Sequence, residues 1–323
     1  MRDDYLWDGS GDPDPDVQRL EGLLSGFRSK RPAPGLAAIN RPAGARLRWS
    51  AIAATIAVTA AGAWLVSRGA PEGWQVDRAG SAPSRLAVGE TLDTGDAGHA
   101  TVNVGDIGVL DVEANSRLRL ERARRNEHRM SLEHGLIHAF IWAPPRSFVV
   151  DTPSAVTTDL GCYYTLEVGK DGAGRVSVLS GWVSFDLGGR ESFIPAGAAC
   201  QTRPRAGPGT PYREDASPAF RLALEALDFG GGGDQALTVV LTEATKEDAF
   251  TLWHLLTRCA PSQESRVYDA LAALAPPPAG VTREGILHGD RIMLDRWWDQ
   301  LGLGTTSWWR RLEGKWPESR ATR

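Results

Sequence analysis

Cysteine is scarce in this 323-residue chain, which holds only Cys162, Cys200 and Cys259. No two of them stand in C-x-x-C spacing, which excludes the usual zinc-knuckle and dithiol redox patterns. An excess of positive charge is also missing. Against 40 acidic residues stand 36 Lys and Arg, a formal net charge of -4, whereas direct binding to nucleic acid needs a basic field. The chain has no H-E-x-x-H, no G-x-S-x-G and no phosphate-cradling G-x-x-x-x-G-K-[ST]. Its densest histidine group, His128, His134 and His138, is interrupted by Gly135 and reads as exposed strand histidines rather than metal ligands. No catalytic residue, metal or cofactor is expected, and the chain is not read as an enzyme.

Long apolar runs are equally rare, with one exception. Residues 49–66, WSAIAATIAVTAAGAWLV, carry no charge over eighteen positions, close to the ~20 needed to cross a bilayer core. Trp49 and Trp64 lie near its ends, where amphipathic rings prefer the headgroup level. Ahead of it come Arg28, Lys30, Arg31, Arg41, Arg46 and Arg48; behind it come only Arg68, Arg78 and Arg85. Positive charge stays on the cytoplasmic side. The expectation is therefore one transmembrane helix in the inner membrane, with a cytoplasmic N-terminus and the bulk of the chain outside, in the periplasm. The long stretch ahead of the run makes it an anchor rather than a cleaved signal.

The segment 1–48 opens with six aspartates, Asp3 to Asp16, and then reads DPDVQRLEGLLSGFR. Asp14 suits a helix cap and Pro15 the first helical position. Val17, Leu20, Leu24 and Phe27 follow at 3, 4 and 3 residues, one helical face. So short a helix is marginal alone in water, so this face is a candidate binding site for a cytoplasmic protein.

Beyond the span the period changes to two. Between residues 74 and 203, runs such as HATVNV, RMSLEHGLIHAFIW, CYYTLEV and RVSVLSGWVSFDL alternate between turn residues, the pattern of successive half-buried strands. Asp171-Gly172 within KDGAG marks a hairpin. The expectation is a mainly β, antiparallel sandwich, roll or short solenoid. Cys162 and Cys200 both fall inside it. In an oxidising compartment they are candidates for a disulfide, and otherwise they read as small buried side chains. RPRAGPGTP places a linker at 204–216, and the period then becomes helical over 217–302. Ser217 with Pro218 starts one helix, Thr245 with Asp248 forms a capping-box variant, and Thr282 starts another. These α-helical pieces suggest a hairpin or a small repeat-like stack that holds proteins. The tail 303–323 carries Trp308, Trp309 and Trp316 among Arg310, Arg311 and Lys315. Trp308 and Trp309 are candidate partner contacts, since aromatic and Arg residues are favoured in them.

Within the β region, VGETLDTGDAGHATVNVGDIGVLDVEANSRLRL, LEHGLIHAFI, FVVDTPSAVTTDLGCYYTLEV, VSVLSGWVSF and IPAGAAC follow one another in order. This series resembles the FecR domain of transmembrane regulators in Gram-negative bacteria. Thr152-Pro153, Leu160-Gly161-Cys162 and Gly181-Trp182-Val183 match its Thr-Pro, Gly-Thr and Gly-Val elements, with Cys162 where the family prefers Thr. The start of the chain looks like that of zinc-type anti-sigma domains, without their His and Cys ligands. The resemblance implies signal transduction and transcription regulation: an external domain that senses a protein or other ligand and a cytoplasmic segment that binds a sigma factor. The competing expectation is a structural envelope module that only holds protein or glycan partners. In either case the membrane is engaged through one helix, and direct contact with nucleic acid is not expected.

Overall fold

The computed structural model describes residues 73–304, together with Pro15 and Gln18, which are helical and exposed. Residues 73–304 fall within a single compact unit. No helix among the described residues is long and apolar enough to cross a membrane. The apolar run 49–66, the face of Val17, Leu20, Leu24 and Phe27, and the tail residues Trp308 and Trp309 lie outside the described residues.

Two sheets share one long strand. The first sheet runs β2 (Ser84–Ala87), β1 (Gly73–Arg78), β4 (Ala100–Val104), β5 (Gly108–Val112), the second half of β7 (Glu127–Ile141), β10 (Tyr163–Val168), β11 (Gly174–Ser180) and β14 (Ala198–Arg203). The second runs β3 (Thr91–Asp93), β6 (Arg117–Arg124), the first half of β7, β8 (Phe148–Asp151), β9 (Val156–Asp159), β12 (Trp182–Leu187) and β13 (Arg190–Pro195). Every pairing is antiparallel except that of β7 with β8.

Gly135 is where β7 passes from one sheet to the other. It has φ +115°, and a Cβ there would lie 2.2 Å from Ser116 Oγ and 2.4 Å from Ser116 Cα. Only glycine allows both the bend and the close approach. The strand therefore continues through the residue that breaks the histidine run, and changes sheet as it does so.

Period-two alternation fills the core. Val76, Val102, Leu110, Ala139, Tyr164 and Val178 lie side by side across the first sheet, and all are buried. Met130, Val150 and Phe185 form the matching inner face of the second. The hairpin at Asp171-Gly172 joins β10 to β11. Gly172 sits at φ +80° and the Asp171 carboxylate accepts from Ala173 N at 3.0 Å.

The stretch read as a linker, 204–216, instead adds two short strands, β15 (Gly207–Pro208) and β16 (Tyr212–Arg213), to β14. Residues 207–212 are all buried, because the helical region packs over them. That region comprises α1 (Pro218–Phe229), α2 (Gly233–Glu243), a 3-10 turn (Lys246–Asp248) leading into α3 (Ala249–Leu256), α4 (Pro261–Leu274), α5 (Arg283–Leu287) and α6 (Arg291–Gln300). Ser217 caps α1 by accepting from Phe220 N at 3.0 Å. The capping box of Thr245 and Asp248 is complete.

The helices are not a separate layer with its own interior. Trp298 of α6 packs against Trp182 and Phe193 of the second sheet, with ring centroids 6.0 and 6.5 Å apart. Phe193 N donates to His254 Nε2 at 3.2 Å, and His254 Nδ1 donates to Phe250 O at 2.8 Å. Strand and helix side chains form one continuous buried cluster.

Candidate functional site

The outer face of the first sheet carries an apolar row that nothing covers among the described residues. Asn103, Val109, Phe140 and Tyr163 are neighbours across β4, β5, β7 and β10. Phe140 and Tyr163 are 52% and 37% exposed, and their rings meet edge-on at 5.9 Å. Trp142, 55% exposed, stacks beside Phe140 at 5.5 Å and is held by its Nε1 donating to Asp106 O at 2.9 Å. A bulge completes the row. Tyr163 faces Ser180 while Tyr164 faces Val178, which leaves Leu179 as the extra residue, 54% exposed.

The next row on the same face is polar and acidic. Asp77, Thr101, Asp111, His138 and Thr165 run across the sheet. Thr101 Oγ1 donates to Asp111 at 2.9 Å, Asn103 Nδ2 to Asp77 at 3.3 Å, and His138 sits between Thr165 Oγ1 at 3.0 Å and the Glu113 carboxylate at 3.5 Å. An exposed cluster of four large apolar side chains beside carboxylates suits a protein contact.

Where the chain crosses between the sheets, it builds a buried polar corner. Asp159 ends β9 and is 2% exposed. Its carboxylate accepts from Gly161 N at 2.6 Å and from the Cys162 thiol at 2.6 Å. Burial outweighs these bonds and pushes the Asp159 carboxyl up to about 7. Burial, with the Asp159 charge beside it, also raises the Cys162 thiol far above its usual range, so it stays protonated and is a poor nucleophile. The Tyr164 hydroxyl is buried beside them without a hydrogen-bond partner. Gly181 closes the corner at φ +75°, where a Cβ would lie 2.2 Å from Gly161 O.

Cys162 and Cys200 are both free, buried thiols in this structure, which matches the alternative of small buried side chains rather than the candidate disulfide. Geometry explains this. Cys162 precedes β10, whereas Cys200 lies on β14, two strands away and level with Val176 and Leu166. Two strand spacings alone are ~10 Å, beyond the ~7 Å that a disulfide spans between Cα atoms. Cys200 instead donates to Gly209 O at 3.2 Å.

The histidine group is dispersed as well. His128 is buried and its Nδ1 accepts from Trp74 Nε1 at 3.1 Å; burial lowers its pKa. His138 lies on the outer face, beyond the bend at Gly135 from His128. No group of residues suited to hold a metal occurs among the described residues.

A cleft of about 440 Å³ opens between β13 and the helices. Its floor includes Arg258, whose Nη2 donates to Ser192 Oγ at 2.7 Å and to Glu191 O, and whose Nη1 donates to Thr210 Oγ1 at 3.3 Å. Asp228 supplies the neighbouring negative charge while bonded to Arg190 and Thr210. Burial pulls the Arg258 guanidinium down to about 10, which still leaves it charged at neutral pH. This network binds the helices to the sheet and is satisfied internally.

The periodicity of β7 contained a signal for the apolar row. Ile137, Ala139 and Ile141 keep the inward phase, so Phe140 falls on the outward phase, and Trp142 continues it past the strand end. The bulge that adds Leu179 had no such signal.

The family described as FecR protein matches residues 90–184. That stretch starts one residue before β3, ends within β12, and includes both the apolar row and the Asp159 corner. Among solved structures, two crystal structures of a candidate anti-sigma factor from Parabacteroides distasonis ATCC 8503, at 1.65 and 2.50 Å resolution, are similar. Each shares 19% identity, with a TM-score of 0.35, and covers 42% of this chain and 63% of its own. No curated protein matches the chain. The resemblance to FecR read from the sequence is thus matched by the family over residues 90–184.

Proposed function

We propose that the chain is a membrane-anchored regulator of the FecR type, not an enzyme, which reads a signal outside the cytoplasm and relays it to a protein inside. The observation that carries this reading is the FecR match, which falls on the two-sheet domain downstream of the uncharged run 49–66. The basic residues ahead of that run favour a cytoplasmic N-terminus. On this reading the sheet domain lies in the periplasm, and its exposed aromatic row is the surface that meets protein.

The cytoplasmic effector on this reading is the set Val17, Leu20, Leu24 and Phe27, whose spacing in the sequence suits one helical face. Leaving such a face in water forgoes about 1.5–3 kcal/mol for each large side chain that a partner would bury. A sigma factor is the partner of choice for a regulator of this family. The test substitutes Leu20→Asp together with Leu24→Asp, which places two charges in that contact, an unfavourable position when desolvated and unpaired. The variant should reach the membrane in normal amount but lose capture of a sigma factor and change transcription of its target genes. Unchanged capture and transcription would favour a module that only holds partners in the envelope.

A further inference from the structure

We propose that the apolar row binds an external protein through a segment whose apolar side chains are flanked by lysine or arginine, with those basic groups set over the carboxylates of the adjoining row. The proposal rests on the reading of the row as a surface that meets protein, and goes beyond it by naming the chemistry of the partner. It is independent of the cytoplasmic partner.

The first support is the layout of the face. Val109, Phe140, Tyr163 and Leu179 lie on the adjacent strands β5, β7, β10 and β11, so the apolar row is ~14 Å from end to end. Asp111 stands two residues along β5 from Val109, and His138 two residues along β7 from Phe140. The polar row therefore runs parallel to the apolar one, ~7 Å to its side. Glu113 keeps the same phase just past the end of β5, where its N–H donates to Leu136 O. A partner that fills the apolar row also meets these carboxylates.

The second support is charge that the face leaves unbalanced. Asp77 and Asp111 accept from Asn103 and Thr101, which are neutral, and Glu113 faces His138. Glu167, on the outward phase of β10, adds a fourth carboxylate. Arg175 is the one guanidinium on the outward phase of the strands that bear these rows, among the described residues, and it is bonded to Glu214. Arg85 stands beyond them, on the edge strand β2. A cover that takes water from the carboxylates is costly unless it brings opposite charge. A bilayer with anionic headgroups would be repelled. A second copy of this face would bring further carboxylates. A basic, apolar protein segment is the cover that suits both rows.

The test uses the full-length chain with Leu179→p-benzoylphenylalanine, an exposed position at the end of the row, irradiated in the cells that make it. Peptide mapping should place the adduct on a separate protein, in a segment where apolar residues stand beside Lys or Arg. Asp77→Asn, Asp111→Asn and Glu113→Gln together should lower the yield roughly tenfold. In isolated cell envelopes, about 0.5 M salt should lower it as well, with no substitution that could disturb folding. Phe140→Ala with Trp142→Ala should abolish it. The same photoprobe at Ile292, exposed on α6, should not give this adduct. A mapped segment without basic residues, or a yield unchanged by the triple substitution or by salt, would overturn the proposal and leave the row as a protein-binding surface. Adducts to lipid, or to a second copy told apart by isotope labelling, would overturn it too. No adduct at position 179, or the same adduct from position 292, would overturn both readings.

Discussion

At the residue scale the most unusual group is Asp159. Its carboxyl is 2% exposed and pushed up to about 7 by burial, against about 3.9 in an unfolded chain. Between these values the folded state holds a proton that the unfolded state has released. Stability is therefore fully present below about pH 4 and is lost as pH rises toward 7, by up to about 4 kcal/mol if no relaxation occurs. Asp159→Asn should flatten this dependence and raise stability at neutral pH. Urea denaturation at a series of pH values checks it, and a wild-type profile that rises from pH 4 to 7 would contradict the assignment. The sequence marked Leu160-Gly161-Cys162 as a family element but gave no hint of the Asp159 pairing. That contact depends on the crossing from β9 to β10, which no local pattern encodes. For the same reason the sequence left the Cys162–Cys200 pairing open, because membership of one domain says nothing of strand order.

At the scale of elements, what was legible had a local cause. The hairpin at Asp171-Gly172, the Ser217 cap and the Thr245–Asp248 capping box each follow from the chemistry of a few adjacent residues. The two short strands in 204–216 were hidden by Pro and Gly, which read as linker yet here sit at a sheet edge under helices. Helix α2 was hidden by the four glycines at its start and by its β-branched residues. The segment after Thr282 divides into α5 and α6 at Gly289, which has φ +72°. The bend in β7 was half visible, as an interruption at Gly135 whose meaning needed both sheets. Gly135→Val should cost about 2–5 kcal/mol, since it combines a β-branched residue at positive φ with overlap on Ser116. A chemical denaturation midpoint equal to that of wild type would show that the bend tolerates a side chain.

At the scale of the whole molecule, the described strands and helices share one core. The Trp298 contacts with Trp182 and Phe193 tie the end of the helical region to the same corner that holds Asp159. On the proposed reading, this unit stands outside the membrane while the acidic segment stands inside. Composition and charge placement suggested that division from the sequence, since both rest on single-residue properties that need no topology. The most direct measurement of this division across a membrane is a pair of fusions to a reporter enzyme active only outside the cytoplasm. A fusion after Thr210 should be active and one after Lys30 inactive. Activity at Lys30, or its absence after Thr210 with the fusion protein intact, would contradict the account.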